Sequence, residues 1–295
     1  MEHQLLHDGA AEEKIQPAIS KYNLMSNAKV TEQPSRYRHL EQMSTEEIVQ
    51  HINEEDQTVA LAVQKELPRI AKLADAVATQ LHNGGRLFYI GAGTSGRLGV
   101  LDASECPPTY GVDAGIVNGL MAGGDAALRF GIEDAEDSYE TGWHDLLGYA
   151  ISSRDIVIGI AASGTTPYVV GALESCRRTG VPTGCIVCNP GSPVAAHADY
   201  PVEVIVGPEF VTGSTRMKSG TAQKMVLNMI STAAMIRIGR VRDNQMVHMQ
   251  ISNDKLTDRG TQMLMQRSGL TDYEEAKALL LKYGSVQAAI DHLNN

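Results

Sequence analysis

Two short stretches of glycine, serine and threonine carry the first chemical signal in this sequence. Gly91-Ala92-Gly93-Thr94-Ser95-Gly96 follows the apolar run Leu87-Phe88-Tyr89-Ile90, and Ala161-Ala162-Ser163-Gly164-Thr165-Thr166 follows Ile156-Val157-Ile158-Gly159-Ile160. Each pattern predicts a strand, a loop and the start of a helix. Backbone N–H groups at a helix start present partial positive charge, and neighbouring hydroxyls add donors, so the chemistry on offer is the binding of a small anion. The first loop reads G-x-G-x-x-G, a weak signal alone. A dinucleotide site asks for an acidic residue closing the next strand about 20 residues on. Asp113 stands near that distance but follows no clear strand, and no Gly-Lys-Ser/Thr completes a P-loop. Two separate hydroxyl-rich loops fit a sugar phosphate better.

Carboxylates supply the second signal. Glu105 lies in Asp102-Ala103-Ser104-Glu105-Cys106-Pro107-Pro108, just beyond the short helix expected after the first loop. Apolar and proline neighbours are expected to desolvate it and raise its carboxyl toward the general-acid range. Glu133, Asp134, Glu136, Asp137 and Glu140 crowd a later predicted helix, where Glu133, Glu136 and Glu140 share a face. Spacing alone reads that cluster as a solvated surface. A third stretch, residues 207–224, places Ser214, Thr215, Arg216 and Lys218 at the start of a long predicted helix. Cations there oppose the helix dipole, as expected where an anionic ligand or a carboxylate neutralises them. The nine histidines are scattered without metal-ligand spacing, and Met246, Met249, Met263 and Met265 read as core filling. Cys185 and Cys188 form a C-x-x-C inside an apolar run with no partner pair, so they read as buried strand thiols.

The elements that must position these groups follow from composition and pattern. The chain has 295 residues, 43% hydrophobic and 20% charged, the profile of a globular protein. Twenty-five basic against 35 acidic residues give a net charge of −10, which argues against a general nucleic-acid or anionic-membrane binder but leaves room for one local cationic pocket. No apolar stretch reaches the roughly 20 residues of a membrane span. The start lacks the basic-then-apolar order of a secretory signal, so a cytoplasmic protein with reduced cysteines is expected.

Residues 1–29 show no firm period, leaving a short helix or a loose lead-in. Ser44-Thr45-Glu46-Glu47 opens a helical stretch, and a second helix is expected over 57–81, bent at Pro68. A helix to about Thr179 is expected after the second loop, then strands over 183–188 and 202–206 and a long helix over 214–238. Buried strands alternating with helices predict a parallel sheet. Three short helices, over 258–267, 272–282 and 286–293, predict a small C-terminal unit packed on the main body.

Together these motifs resemble the N-acetylmuramic acid 6-phosphate etherases, bacterial members of the sugar isomerase (SIS) superfamily. The resemblance rests on residues 91–99, 102–112, 131–138, 159–168 and 207–224, and covers roughly Met43 to the C-terminus. The stretch 207–224 is close to a signature these etherases share with the glucokinase regulatory protein; Glu105-Cys106-Pro107-Pro108-Thr109-Tyr110 favours the etherase. The first thirty or so residues do not match.

The resemblance implies an α/β fold, a parallel sheet flanked by helices in three layers, divided as an arm over residues 1–42, an SIS domain over 43–254 and a small helical cap over 255–295. It implies a homodimer with sites near the subunit interface, no cofactor and no metal. The implied reaction cleaves the D-lactyl ether at C3 of N-acetylmuramic acid 6-phosphate, giving N-acetylglucosamine 6-phosphate and D-lactate. Glu105 and Glu136 are then the acid/base pair, with Glu105 assisting lactate departure and Glu136 handling the C2 proton, in roles the resemblance leaves exchangeable. Thr94, Ser95, Ser163 and Thr166 are expected on the phosphate and sugar hydroxyls, and Arg216 and Lys218 on substrate charge. The alternative is a non-catalytic sugar-phosphate-binding regulator like the glucokinase regulatory protein. That relative resembles a doubled SIS chain with a longer cap, for which this chain is too short. An isomerase or a DNA-binding SIS regulator fits less well; the N-terminus offers no basic helix-turn-helix.

Overall fold

The apolar runs pair into one parallel sheet. The structure, a computed structural model, describes residues 29–294, so the lead-in read over residues 1–28 lies outside the described residues. Strands β1 (Leu87–Gly91), β2 (Val117–Met121), β3 (Ile156–Ala161), β4 (Thr183–Val187) and β5 (Tyr200–Glu203) lie in the order β2-β1-β3-β4-β5. Gly91 pairs with Met121 on one side and Ile160 on the other, so β1, β2 and β3 end at one level. The order reverses between β1 and β3. In open α/β sheets ligands bind outside the carboxyl ends of the strands at such a switch point, and both hydroxyl-rich loops leave the sheet there.

Helices α1 (Thr45–His82), α2 (Gly93–Tyr110), α3 (Gly124–Arg129), α4 (Thr141–Gly148), α5 (Pro167–Arg178), α6 (Pro193–Ala196) and α7 (Lys218–Arg237) complete the main body. Alternate strand residues point to opposite faces. Tyr89, Ile158 and Ile186 pack with Val63, Leu73 and Val77 of α1 and Val226 and Ile230 of α7. Phe88, Val157 and Val187 pack on the other face with Leu146 of α4 and Tyr168 and Leu173 of α5. These two cores make the expected three layers, each fully buried large side chain contributing about 1.5–3 kcal/mol. Helices α8 (Asp254–Ser268), α9 (Tyr273–Tyr283) and α10 (Val286–Leu293) enclose a third core around Met249, Met263, Leu264 and Leu280. Asn253, Asp272 and Ser285 cap them, each side chain accepting a backbone N–H in the first turn. The segment that connects α7 to this unit meets the far end of α2, where the Gln250 N–H donates to the Pro108 carbonyl (3.2 Å) and the Arg240 guanidinium to the Gly111 carbonyl (3.3 Å).

Several sequence expectations need correction. The two helices expected before β1 are one 38-residue helix, opened by a capping box between Ser44 and Glu47, with Pro68 inside it. The polar stretch 50–57 hid the continuity. Helix α2 is not short: it runs 18 residues through Pro107 and Pro108 and closes at Gly111 with φ 61°. Glu105 therefore lies on this helix, not beyond it. Glu133 to Glu136 form a 3-10 turn, and Glu140 precedes α4, so the acidic residues line no common helix face. Helix α7 begins at Lys218, four residues later than expected, and β5 ends at Glu203. Strand β2 and helices α3, α4 and α6 were not legible in the sequence.

Candidate active site

The first loop is built by close backbone approach. A Cβ on Gly96 would meet the Gly91 carbonyl oxygen at 2.8 Å, and one on Gly91 would meet the Gly96 nitrogen at 2.9 Å. The glycines thus let α2 start hard against the end of β1, and Thr94 and Ser95 fall in its first turn. Thr94 is half-buried. Ser95 is buried, and its hydroxyl donates to Gln223 Oε1 of α7 at 2.9 Å. The Gln223 Nε2 beside it is buried without a hydrogen-bond partner among the described residues. Ser95 therefore offers its backbone, while its side chain anchors α7.

The second loop turns at Gly164, where φ is 70° and a Cβ would meet the Ser192 side chain at 2.3 Å. Ser163 Oγ accepts from the Thr165 N–H and hydroxyl, both at 3.2 Å. Asn189 Nδ2 donates to the carbonyls of Ala162 and Ser163, each at 3.2 Å, and fixes the loop from behind. Thr166 is the N-cap residue of α5, and its side chain makes no capping hydrogen bond, so the hydroxyl is available to a ligand. Asn189 is a residue the sequence reading missed; it follows Cys188 in a run that read only as strand.

The start of α7 carries a carboxylate as its cap. Glu209, 1% exposed, accepts from the Lys218 N–H (2.8 Å), the Ser219 N–H (3.0 Å) and the Ser219 hydroxyl (2.8 Å). The Lys218 ammonium, buried at 2% exposure, pairs with Glu55 of α1. The charge expected to meet substrate is thus balanced inside the protein. Arg216, two residues earlier, is exposed.

The two candidate glutamates are placed differently. Glu136 ends its 3-10 turn and is exposed. Ile132 and Ala135 of that segment lie over Gly123, just past the carboxyl end of β2, where a Cβ would meet theirs at 3.4 and 3.3 Å. Arg97 ties the end of α3, which leads into that segment, to the first loop: its guanidinium donates to the carbonyls of Ala127 (2.7 Å), Leu128 (3.1 Å) and Phe130 (3.3 Å). Arg97 too went unread as a functional residue, although it stands inside the first motif. Glu105 lies on α2 ten residues after Ser95, about 15 Å along the axis. Within one chain it is exposed, not desolvated by Pro107 and Pro108. One turn before it, Asp102 is buried and accepts from Tyr89 (2.9 Å) and Ser231 (3.1 Å), which locks α2 to β1 and α7. Burial holds the Asp102 carboxyl above the usual range against the pull of those two hydroxyls.

The structure therefore brings Thr94, Ser95, Ser163, Thr166 and the Glu136 segment to the carboxyl edge of the sheet, and leaves Glu105 well down α2. The four cysteines are free and buried, each thiol pushed up to about 12 chiefly by burial. Among the described residues no cluster of His, Cys, Asp and Glu would hold a metal ion, and no helix is long and apolar enough to cross a membrane.

Comparison with known proteins finds relatives over most of the chain. Residues 69–177 match the glucokinase regulatory protein N-terminal SIS domain, and residues 132–233 match the SIS domain. An N-acetylmuramic acid 6-phosphate etherase of Porphyromonas gingivalis is 62% identical over 265 residues, covering 90% of this chain and 96% of its own. The protein of that name from Bacteroides fragilis is 58% identical over 273 residues, covering 92% and 97%. Among solved structures, a protein of Escherichia coli CFT073 superposes with a TM-score of 0.50 at 20% identity, covering 68% of this chain and 96% of that one, a likeness of fold.

Proposed function

Because the chain belongs to the N-acetylmuramic acid 6-phosphate etherase family, we propose that it is a carbon–oxygen lyase that converts N-acetylmuramic acid 6-phosphate and water to N-acetylglucosamine 6-phosphate and D-lactate. The observation that carries this reading is the pair of Gly/Ser/Thr loops flanking the β1/β3 switch point, with the end of α3, which leads into the Glu136 segment, tied to the first loop by Arg97. Such loops suit a phosphate through their N–H groups and hydroxyls. The substrate phosphate sits between Thr94 and Ser95 on one side and Ser163 and Thr166 on the other, and Arg216 faces the lactyl carboxylate.

An ether is a poor leaving group, so the protein must first acidify a neighbouring carbon. The open-chain sugar has an aldehyde at C1, which makes the C2 proton removable. The Glu136 carboxylate takes that proton, and the electron pair is held in the enolate. The enolate expels lactate from C3 as the Glu105 carboxyl protonates the departing oxygen. Glu105, now a carboxylate, takes a proton from water as its oxygen adds to C3, and Glu136 returns a proton to C2. Both carboxyls end as they began. Two carboxyls suffice where their surroundings keep one protonated and the other ionised.

A single sugar phosphate held at the loops does not span the roughly 15 Å along α2 to Glu105. This supports a homodimer in which Glu105 of the partner subunit completes each site. The segment leading into the C-terminal unit is fastened at Pro108 and Gly111, near Glu105 on α2, and the unit it carries is then placed to cap the site its own Glu105 enters. Lys218 serves by ordering the start of α7. A phosphorylated sugar does not cross a bilayer unaided, and four free buried cysteines suit a reducing compartment, so we place the reaction in the cytoplasm.

The test is D-lactate release from N-acetylmuramic acid 6-phosphate by wild type, Glu105→Gln and Glu136→Gln. Loss of a general acid or base is expected to cost about 10²–10⁴ in kcat, in both variants. In deuterated water the product should carry deuterium at C2, which direct displacement at C3 would not introduce. Tight sugar-phosphate binding without lactate release would instead establish a regulator.

A further inference from the structure

Residues 29–44, just before α1, run against the second loop and the segment leading into α7. Thr31 is fully buried; its N–H donates to Asn189 Oδ1 (3.3 Å) and its hydroxyl accepts from Asn189 Nδ2 (2.9 Å). The same Asn189 amide holds the second loop through the carbonyls of Ala162 and Ser163. Farther on, the Ser35 N–H donates to Thr212 Oγ1 (2.9 Å) and the Ser35 hydroxyl to the Phe210 carbonyl (2.7 Å). The strap is thus fastened at two points, one on the second loop and one on the segment leading into α7.

This fastening delivers a cation. Lys29, two residues before Thr31, is exposed, and its ammonium donates to Thr165 Oγ1 at 2.9 Å. That hydroxyl donates on to Ser163 Oγ at 3.2 Å. Lys29 has no salt-bridge partner among the described residues, in contrast to Lys218, which Glu55 neutralises. In a chain of net charge −10, an ammonium held on a hydroxyl loop without a carboxylate is arranged for an anion from outside. An ammonium has three donors, so Lys29 can keep Thr165 and still reach a ligand oxygen.

We propose that Lys29 is a substrate-binding residue whose ammonium contacts the phosphate of the bound phosphosugar at the second loop. The proposal rests on the phosphosugar reading of the site, and it makes the strap part of the specificity for a phosphorylated over a neutral sugar.

The experiment titrates full-length wild type, Lys29→Gln and Lys29→Arg with N-acetylglucosamine 6-phosphate and with unphosphorylated N-acetylglucosamine by calorimetry. Lactate kinetics are followed in parallel. Lys29→Gln is expected to weaken binding of the phosphorylated sugar by about 10- to 100-fold, the span of a hydrogen bond to a charged group. KM should rise by a similar factor with kcat within about twofold, since the contact is the same in ground and transition states. Lys29→Arg should recover most of the affinity, binding of the neutral sugar should not change, and the melting temperature should hold. Unchanged affinity for the phosphorylated sugar in Lys29→Gln overturns the proposal, as does a loss shared equally by both sugars. If wild type binds the phosphorylated sugar but releases no lactate, the etherase reading fails while the Lys29 comparison still decides. If wild type does not bind it at all, both fall.

Discussion

Lys218 and Lys29 carry the same charge to the same end of the sheet, and their partners give them different work. Lys218 is paired with Glu55, 163 positions away in the chain, and its own N–H is held by Glu209. Sequence spacing placed a cation at a helix start and correctly asked what neutralises it. The answer was a carboxylate on another helix, invisible to any local pattern. Removing one partner of a buried pair leaves an uncompensated charge, which costs about 3–5 kcal/mol. Glu55→Gln is therefore expected to lower stability by about that much in urea denaturation. Arg216→Gln, at an exposed side chain, is expected to stay within about 0.5 kcal/mol of wild type. Equal effects in the two variants would mean that the Glu55–Lys218 pair contributes no more than a surface contact. The loop hydroxyls were legible because the chemistry of an anion loop is local, written in consecutive residues. Thr31, Asn189 and Lys29 were not, because their roles exist only once the strap crosses the second loop.

The same divide between local and distant causes separates the elements that sequence reading found from those it missed. Strands β1, β3 and β4 are buried on both faces, so each reads as an unbroken apolar run. Strand β2 is an edge strand of mixed burial, Val117-Asn118-Gly119-Leu120-Met121, and its pattern is interrupted. Gly119 is there for a neighbour: a Cβ would meet the Val100 Cα of α2 at 2.5 Å. The glycines of the first loop have a similar cause. G-x-G-x-x-G looks like a dinucleotide fingerprint, yet what Gly91 and Gly96 achieve is contact between strand and helix. Gly96→Ala forces a methyl against the Gly91 carbonyl and the Met121 side chain, at 2.8 and 3.0 Å. Overpacking of this kind typically costs about 1–3 kcal/mol, and here it also shifts the N–H groups of the first turn. The expected result is a lower melting temperature together with a raised KM. A raised KM at unchanged stability would mean that the loop moves without strain.

At the scale of the whole molecule, the proposed mechanism asks how Glu105, well down α2, and Glu136, in the 3-10 turn after α3, would act on one sugar. Helix α2 leaves the carboxyl end of β1 and runs back along the sheet, so Ser95 and Glu105 lie toward opposite ends of it. The length of α2 carries this argument, and the sequence concealed it, since Glu105 read as lying just beyond a short helix. On a rigid helix Glu105 cannot swing; in the homodimer proposed above, two-fold symmetry would let each subunit give its Glu105 to the other's loops. Mixed dimers test this directly. Glu105→Gln and Glu136→Gln homodimers are each expected to be nearly inactive. After unfolding and refolding together at equal amounts, half the dimers are mixed. With shared sites, one site of each mixed dimer combines an intact Glu105 from one subunit with an intact Glu136 from the other. The mixture should then recover about a quarter of the wild-type rate of lactate release. If both glutamates served a site within their own chain, every site in every dimer would lack one carboxyl, and refolding the variants together would recover nothing.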